Sequence, residues 1–416
     1  MVKNLTEGKP LKLLFCFALP MVAGNLFQQL YNMVDTAVVG KFVGEDAVAA
    51  VGSSFPIVFL SVAVASGLSM GCNVVVSQLF GAGRIHEMKS TISTAILSLG
   101  VLGLVIMALG TILAGPLLRL LGTDPDIMTD SRTYLQIYFG GAVFLFLYNT
   151  LNGIYNAQGD SRTPLIFLMI SSLTNIVLDI VLVVVLRMEV RGAAIATVFS
   201  QLVSAILVVF ALMRTTDSYK LIIRKIRLNL FMVKRIIKIG LPAGLQSVMY
   251  ALSNIIIQSS VNALGTDTIA AWTAYSKIDS VYWMIISALG ISITTFVGQN
   301  YGAGKMTRVK RGVNVCLGIT ALITFLLCTV LYLFGGYVYL LFTTDAAVIA
   351  KGMEILYFLV PTFILYICIE IFSGALRGVG DCWIPMIMTA LGVCTLRVVW
   401  IIIAVPIRPS IITVIR

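Results

Sequence analysis

Long apolar runs broken by short polar ones set the plan of this chain. The runs recur from Leu11 to Val405, and about 20 such residues carry an α-helix across a bilayer. They predict eleven spans, at residues 12–39, 47–79, 90–118, 131–156, 163–186, 192–213, 234–263, 268–299, 310–341, 347–376 and 383–405. Pro20, Pro56, Pro242 and Pro361 fall inside spans or near their starts. Membrane helices accept such prolines as kinks when neighbours satisfy the freed carbonyl. The pattern predicts an all-α polytopic membrane protein.

The pattern also repeats. "SQLFGAGR" (Ser77 to Arg84) returns as "GQNYGAGK" (Gly298 to Lys305), a shift of 221 residues. The same shift carries "GDSRTP" (Gly159 to Pro164) onto "GDCWIP" (Gly380 to Pro385). It carries "GEDAVAA" (Gly44 to Ala50) onto "GTDTIAA" (Gly265 to Ala271), and Thr123-Asp124 onto Thr344-Asp345. Repetition at one offset predicts a duplicated architecture. Six spans per half return the chain to its starting side, so the halves are parallel repeats about an axis along the membrane normal. Such halves commonly enclose a central cavity. The expected division is a first lobe at 1–213, a cytoplasmic linker at 214–233 and a second lobe at 234–416. The sixth span of the first half, near Ala193 to Met213, maps to about 414–434. The twelfth helix is therefore expected to be missing from this chain, which runs to Arg416.

Composition sharpens the class. Apolar residues make up 59% of the chain and charged ones 11%, against about 45–50% and 25% in soluble domains. The net charge of +11 could suggest nucleic acid, but its placement argues for a membrane. Nineteen Lys and Arg gather at the N-terminus and in alternate loops, and seven in the loops between. Positive loops stay in the cytoplasm, which places the N-terminus there; the membrane is expected to be the inner membrane of a prokaryote. No cleavable signal peptide is expected, because the first apolar run leads to Lys41 and another span. "SYKLIIRKIRLNLFMVKRIIKIGLP" reads either as an amphipathic helix on anionic lipid or as a plain basic linker. The seven Cys form no Cys-x-x-Cys pair, and His86 is the only His. Both facts argue against a zinc, haem or His-based catalytic centre. "GAGR" and "GAGK" lack the P-loop spacing, so ATP hydrolysis is not expected, nor is an enzyme.

The chemistry then lies in charges inside spans. Each costs roughly 2.5–3.5 kcal/mol on insertion scales and so faces a cavity or a partner. The set is Asp35, Asp179, Lys277, Asp279, Glu370 and Arg397. Asp35 stands six residues before Lys41, about 9 Å of helix, and Asp179 eight before Arg187, about 12 Å. Thr197 lies six past Arg191, at a similar depth, and Asn175 shares the helix face of Asp179. These oxygens at one depth can hold Na⁺. Alternatively the two carboxylates share a proton, since like charges in low dielectric cannot both stay ionised. The bland alternative is that both Asp cap or bridge helices. Under the 221 shift Asn175 falls on Leu396, Asp179 on Trp400 and Asp35 on or beside Ile256 and Ile257, so the nest is not duplicated.

Glu370 maps onto Asn149, which suggests either paired polar groups facing the cavity or helix packing. Gln28, Asn32 and Asp35 form one helix stripe, and Asn149, Asn152 and Asn156 another. Such stripes read a ligand or glue helices together. Arg397 is expected to pair with an acid or a carbonyl, and Lys277 and Asp279 to have separate partners.

"LPMVAGNLFQQLYNMVDTAVVGKFVGEDAVAAVG", "QLFGAGR", "NAQGDSRTP", "QNYGAGK" and "GALRGVGD" resemble the multidrug and toxic compound extrusion (MATE) transporters, most of all their DinF-like branch. The resemblance spans the whole chain except the last helix. It implies two six-helix lobes, alternating access, and export of organic, often cationic, drugs in exchange for Na⁺ or H⁺, with no other cofactor. It implies a cation site at Asp35, Asn175, Asp179 and Thr197, a bend of the first helix at Pro20, and a monomer in the bilayer. Gln28, Asn32, Asn149, Asn152 and Glu370 are the substrate-cavity candidates. The rival readings are a lipid-linked oligosaccharide flippase of the same broad superfamily, which would need a large cationic groove, and a fragment unable to transport.

Overall fold

The computed structural model describes residues 4–215, 220, 227–407 and 410–415. Residues 216–219 and 221–226 of the basic stretch read as linker or amphipathic helix lie outside the described residues, and from Leu230 that stretch is already helix. Among them, fifteen α-helices carry the chain. They are α1 (Pro10–Phe42), α2 (Glu45–Gly81), α3 (Ile85–Leu120), α4 (Met128–Gly140), α5 (Ala142–Ala157), α6 (Arg162–Asp179) and α7 (Glu189–Arg214). After the linker come α8 (Leu230–Asn262), α9 (Thr266–Gly302), α10 (Met306–Leu340), α11 (Ala346–Leu359), α12 (Phe363–Val379), α13 (Trp383–Met388), α14 (Leu396–Ile407) and α15 (Ile411–Ile415).

Among the described residues ten continuous helical segments are long and apolar enough to span a membrane, and the pair α4 and α5, bent by 49°, makes an eleventh. The bend falls at Gly140-Gly141, which leaves two flexible backbone positions side by side. Short wide turns of π-helix follow α6 at Ile180–Val185 and precede α14 at Thr389–Thr395.

The repeated motifs turn out to be backbone requirements. Gly83 and Gly304 each follow a long helix with positive φ, +69° and +72°, which a side chain resists. Asp160 and Asp381 accept backbone N–H groups two and three residues on, and so cap α6 and α13.

The two lobes meet closely at the basic end, the end that holds residues 4–9. Gly67 and Gly71 of α2 face Gly240 and Gly244 of α8, a small-residue crossing that brings backbones into contact. An added Cβ at Gly81 would strike the Gln299 carbonyl, and one at Gly302 would strike the Gln78 carbonyl. These two contacts are the same contact under the 221 shift. So are two hydrogen bonds. Gln78 Nε2 donates to the Gly378 carbonyl of the second lobe (2.9 Å), and Gln299 Nε2 donates to the Ala157 carbonyl of the first (2.8 Å). Arg235 donates to Gln78 Oε1 (2.7 Å) and the Leu5 N–H donates to Gln299 Oε1 (2.9 Å), so both amides are satisfied at both atoms.

Apolar packing tells the same story. At the basic end the core mixes lobes: Val75 and Leu151 pack with Ile236, and Leu14 with Ile293 and Phe296. At the other end each lobe keeps its own core. The seal is thus one-sided. Gln78→Ala and Gln299→Ala each strand a buried donor or acceptor, worth about 1–3 kcal/mol. Each is expected to lower the unfolding midpoint in detergent, and an unchanged midpoint for both would contradict a structural latch.

Candidate functional site

The acid pair sits in the first lobe, away from the seal. Helix α1 carries Asp35 and the last turn of α6 carries Asp179, which is fully buried. The two carboxyls meet at hydrogen-bonding range. Apart from that mutual contact, Asp35 Oδ1 and both Asp179 oxygens are buried without a donor among the described residues. Both amide atoms of Asn175, one turn earlier on α6, are also buried without a partner. Orphaned buried polar atoms are costly and rare. Two carboxyls in contact need a proton or a metal ion between them, because two bare charges repel. Clustered orphan oxygens fit either.

Thr197 stands on α7, with its Oγ1 donating back to the Ala193 carbonyl (3.0 Å) and its lone pairs free to accept or ligate. Ser171 of α6 donates to the Ser200 carbonyl of α7 (2.8 Å) and ties the two helices together. Asn175 and Thr197 line one cavity of about 380 Å³, and the acid pair lies one turn beyond its Asn175 and Tyr31. One turn further out the chain turns apolar. Val39, Val183 and Ala193 pack with Tyr134 in a single buried cluster. The nest is plugged on that side and opens toward the cavity.

Local backbone explains the placement. Directly after Asp179 the run Ile180–Val185, β-branched except for Leu182, is wound as π-helix, with Leu186 N–H bonded to the Val181 carbonyl (2.9 Å). Such wide turns often mark functional sites. Arg187 and Glu189 hold φ of +51° and +53°, a strained left-handed link that swings α7 back onto α6.

Other sequence candidates divide. Pro20, Asn149 and Asn152 line the same cavity, Asn32 lines a second and Gln28 lines both. Asn149 donates to the Leu145 carbonyl (2.9 Å), and Asn156 donates to Asn152 (3.1 Å). Helix α1 runs unbroken through Pro20, so no break marks the expected bend. Nearby, Ser161 donates to the Phe17 carbonyl (2.7 Å).

Glu370 is paired with Arg377 at 2.8 Å, packs against Gly290 and lines neither cavity, an arrangement that fits the helix-packing alternative. Arg397 departs from its expected pairing: its Nη2 donates to the Tyr366 hydroxyl (3.0 Å), and among the described residues no acid or carbonyl accepts from it. Asp279 accepts from Tyr275 (3.4 Å), and Lys277 is exposed.

Sequence reasoning missed the tyrosines. Tyr31 and Tyr134 stand close enough to feel both acids, and Tyr31 lies on the Asp35 face one turn before it. That spacing was the available signal. It also missed the second cavity, about 970 Å³, between the lobes and against α8, α9 and α12.

A family model, MatE, matches residues 20–181 and again 242–403, one copy per lobe. The chain belongs to the MATE family of membrane transporters. MATE proteins are cation-coupled transporters, not enzymes. The chain is 30% identical over 404 residues to the probable multidrug resistance protein YpnP of Bacillus subtilis, covering 95% of this chain and 88% of that one. It is 28% identical over 345 residues to an FAD transporter of Shewanella oneidensis, covering 81% and 75%. Among solved structures, an outward-facing MATE transporter superposes with TM-score 0.91 at 23% identity, covering all of this chain and 93% of that one. A second, MATE in complex with MaD3S, also gives 0.91 at 23%, covering 99% and 93%. These likenesses establish the two-lobed fold.

Proposed function

We propose that this MATE protein is a DinF-like multidrug exporter that trades Na⁺ or H⁺ for organic cargo at Asp35, Asn175, Asp179 and Thr197. The observation that carries the reading is the contact between the half-buried Asp35 carboxyl and the fully buried Asp179 carboxyl, with Asp35 Oδ1 and both Asp179 oxygens lacking a donor among the described residues. The relatives described as multidrug resistance proteins support the cargo class. The excess of basic loops supports a cytoplasmic N-terminus, which makes the sealed end cytoplasmic and this conformation outward-facing.

In this reading the cation enters by the first-lobe cavity, because the Val39 and Tyr134 cluster blocks the direct path. Asn175 and Thr197 supply neutral oxygens, and the two acids supply charge. Filling the nest relieves repulsion between α1 and α6 and lets α1 settle against α6. Pro20, which lacks an N–H, is where α1 can bend as it does so. A cation drives the change only through its different affinity for the two conformations. The flippase reading fits less well, because among the described residues Arg397 is the only basic one lining the chamber between the lobes.

The test is drug efflux from reconstituted vesicles with Na⁺ and pH gradients imposed separately. One gradient is expected to drive efflux, and Asp35→Asn to remove that dependence. Efflux indifferent to both gradients would overturn the reading.

A further inference from the structure

The larger cavity has a chemistry of its own. Asp279 of α9 and Arg397 of α14 both line it, yet no ion pair within 4.0 Å joins them among the described residues. Opposite charges in one low-dielectric chamber would ordinarily collapse together. Here each is held by a tyrosine. Tyr275, one turn before Asp279, donates to its carboxylate (3.4 Å), and Trp283, one turn after, flanks it on the other side. Arg397 spends Nη2 on the Tyr366 hydroxyl (3.0 Å). The guanidinium has five N–H donors, and among the described residues the others have no partner, which leaves them to the chamber.

The walls between the two charges are aromatic. Trp283 is the hub, with Tyr366 edge-on at 5.3 Å and 74°, and Tyr250 at 6.4 Å and 63°. Trp272 and Tyr275 stack nearby at 5.4 Å. Trp272 gives its N–H to Gln258 (3.1 Å), which fixes the ring plane. None of this is duplicated. Under the 221 shift Asp279, Trp283, Tyr366 and Arg397 fall on Val58, Val62, Leu145 and Ile176. The first lobe has an acid pair and a cavity lined by amides and hydroxyls. The second has a large aromatic chamber with one acid and one base held apart.

We infer that this chamber is a receptor for flat aromatic zwitterions, with the cargo's acid group on Arg397 and its positive end on Asp279. A planar ring system stacks against Trp283 and its neighbours. A carboxylate or phosphate takes the free fork of Arg397, which suits planar two-oxygen acids. At about 970 Å³ the pocket sits at the upper end of ligand-sized cavities, where the first-lobe cavity, about 380 Å³, sits at the lower end. The inference deepens the exporter reading by naming the cargo class, but the site stands on its own geometry.

The test is equilibrium binding to the purified full chain in detergent, with no gradient, using a matched dye pair. Rhodamine 110 has a free carboxylate and a cationic ring system. Rhodamine 123 is its methyl ester, a plain cation. Wild type is expected to bind the free acid about tenfold tighter, the worth of one charge-assisted contact. Arg397→Gln is expected to remove that preference and leave the ester unchanged, and Arg397→Lys to keep part of it. Asp279→Asn is expected to weaken both dyes. The Asp35→Asn protein should show the wild-type preference, so failure of the cation site and failure of this receptor read differently. Equal wild-type affinity for the two dyes would overturn the inference. So would an Arg397→Gln protein that loses both dyes equally, or one that keeps the preference.

Discussion

Asp179→Asn is expected to abolish cation-driven export and, at the same time, to raise the unfolding midpoint. The side chain is fully buried, touches the Asp35 carboxyl and finds no other partner. The amide keeps the shape, removes one of two crowded charges and brings a donor for Asp35. Relieving an unpaired buried charge is worth about 1–3 kcal/mol. Transport should suffer because the nest no longer distinguishes filled from empty. Ordinary couplings between sites are about 1–3 kcal/mol, so roughly 5–150-fold is lost. Drug efflux from vesicles and a melting curve in detergent check the two halves. A variant that transports normally would remove Asp179 from the mechanism. One that loses both stability and transport would make it a structural bridge. Stability gained as function is lost is the usual mark of a strained working site.

Gly81→Leu is expected to stop transport by a different route. Its Cβ direction points straight at the Gln299 backbone carbonyl, and backbone cannot swing aside as a side chain can. The seal at the basic end then stays open, and Gly302→Leu should do the same from the other lobe against Gln78. Overpacking of this kind costs typically 1–3 kcal/mol or more, comparable to the gap between two transport conformations. A single Cys introduced at Thr295, buried beside Asn73 at the seal, should become reactive to a thiol reagent applied from that end. Normal transport and an unreactive Cys in both glycine variants would show that close approach there is not needed.

Much of this was legible in the sequence, for physical reasons. Spans follow from apolar length, and the lobes follow from motifs whose glycines and aspartates are fixed by backbone geometry. Asp160 and Asp381 repeat because each must cap a helix, and Gly83 and Gly304 because each takes positive φ. Depth along helices was enough to bring Asp35 near Asp179. The remainder depends on rotation about helix axes and on side-chain reach. Glu370 lay at cavity depth, but only packing against Gly290 and the reach of Arg377 decided its direction. The π-helical turn after Asp179 has no sequence signature beyond a run of mostly β-branched residues. Neither the apolar plug at Val39, Val183 and Ala193 nor the chamber around Trp283 shows in a pattern that marks such positions merely as membrane-facing or buried.

The most direct measurement is cation release on cargo binding. Purified protein is loaded with radiolabelled Na⁺, or held in weakly buffered solution with a pH indicator, and a fluorescent drug is added. The account predicts that cargo expels one of these ions from the wild type and none from the Asp35→Asn and Asp179→Asn variants. Cargo that binds the wild type without displacing either ion, or displaces it equally from both variants, would contradict it.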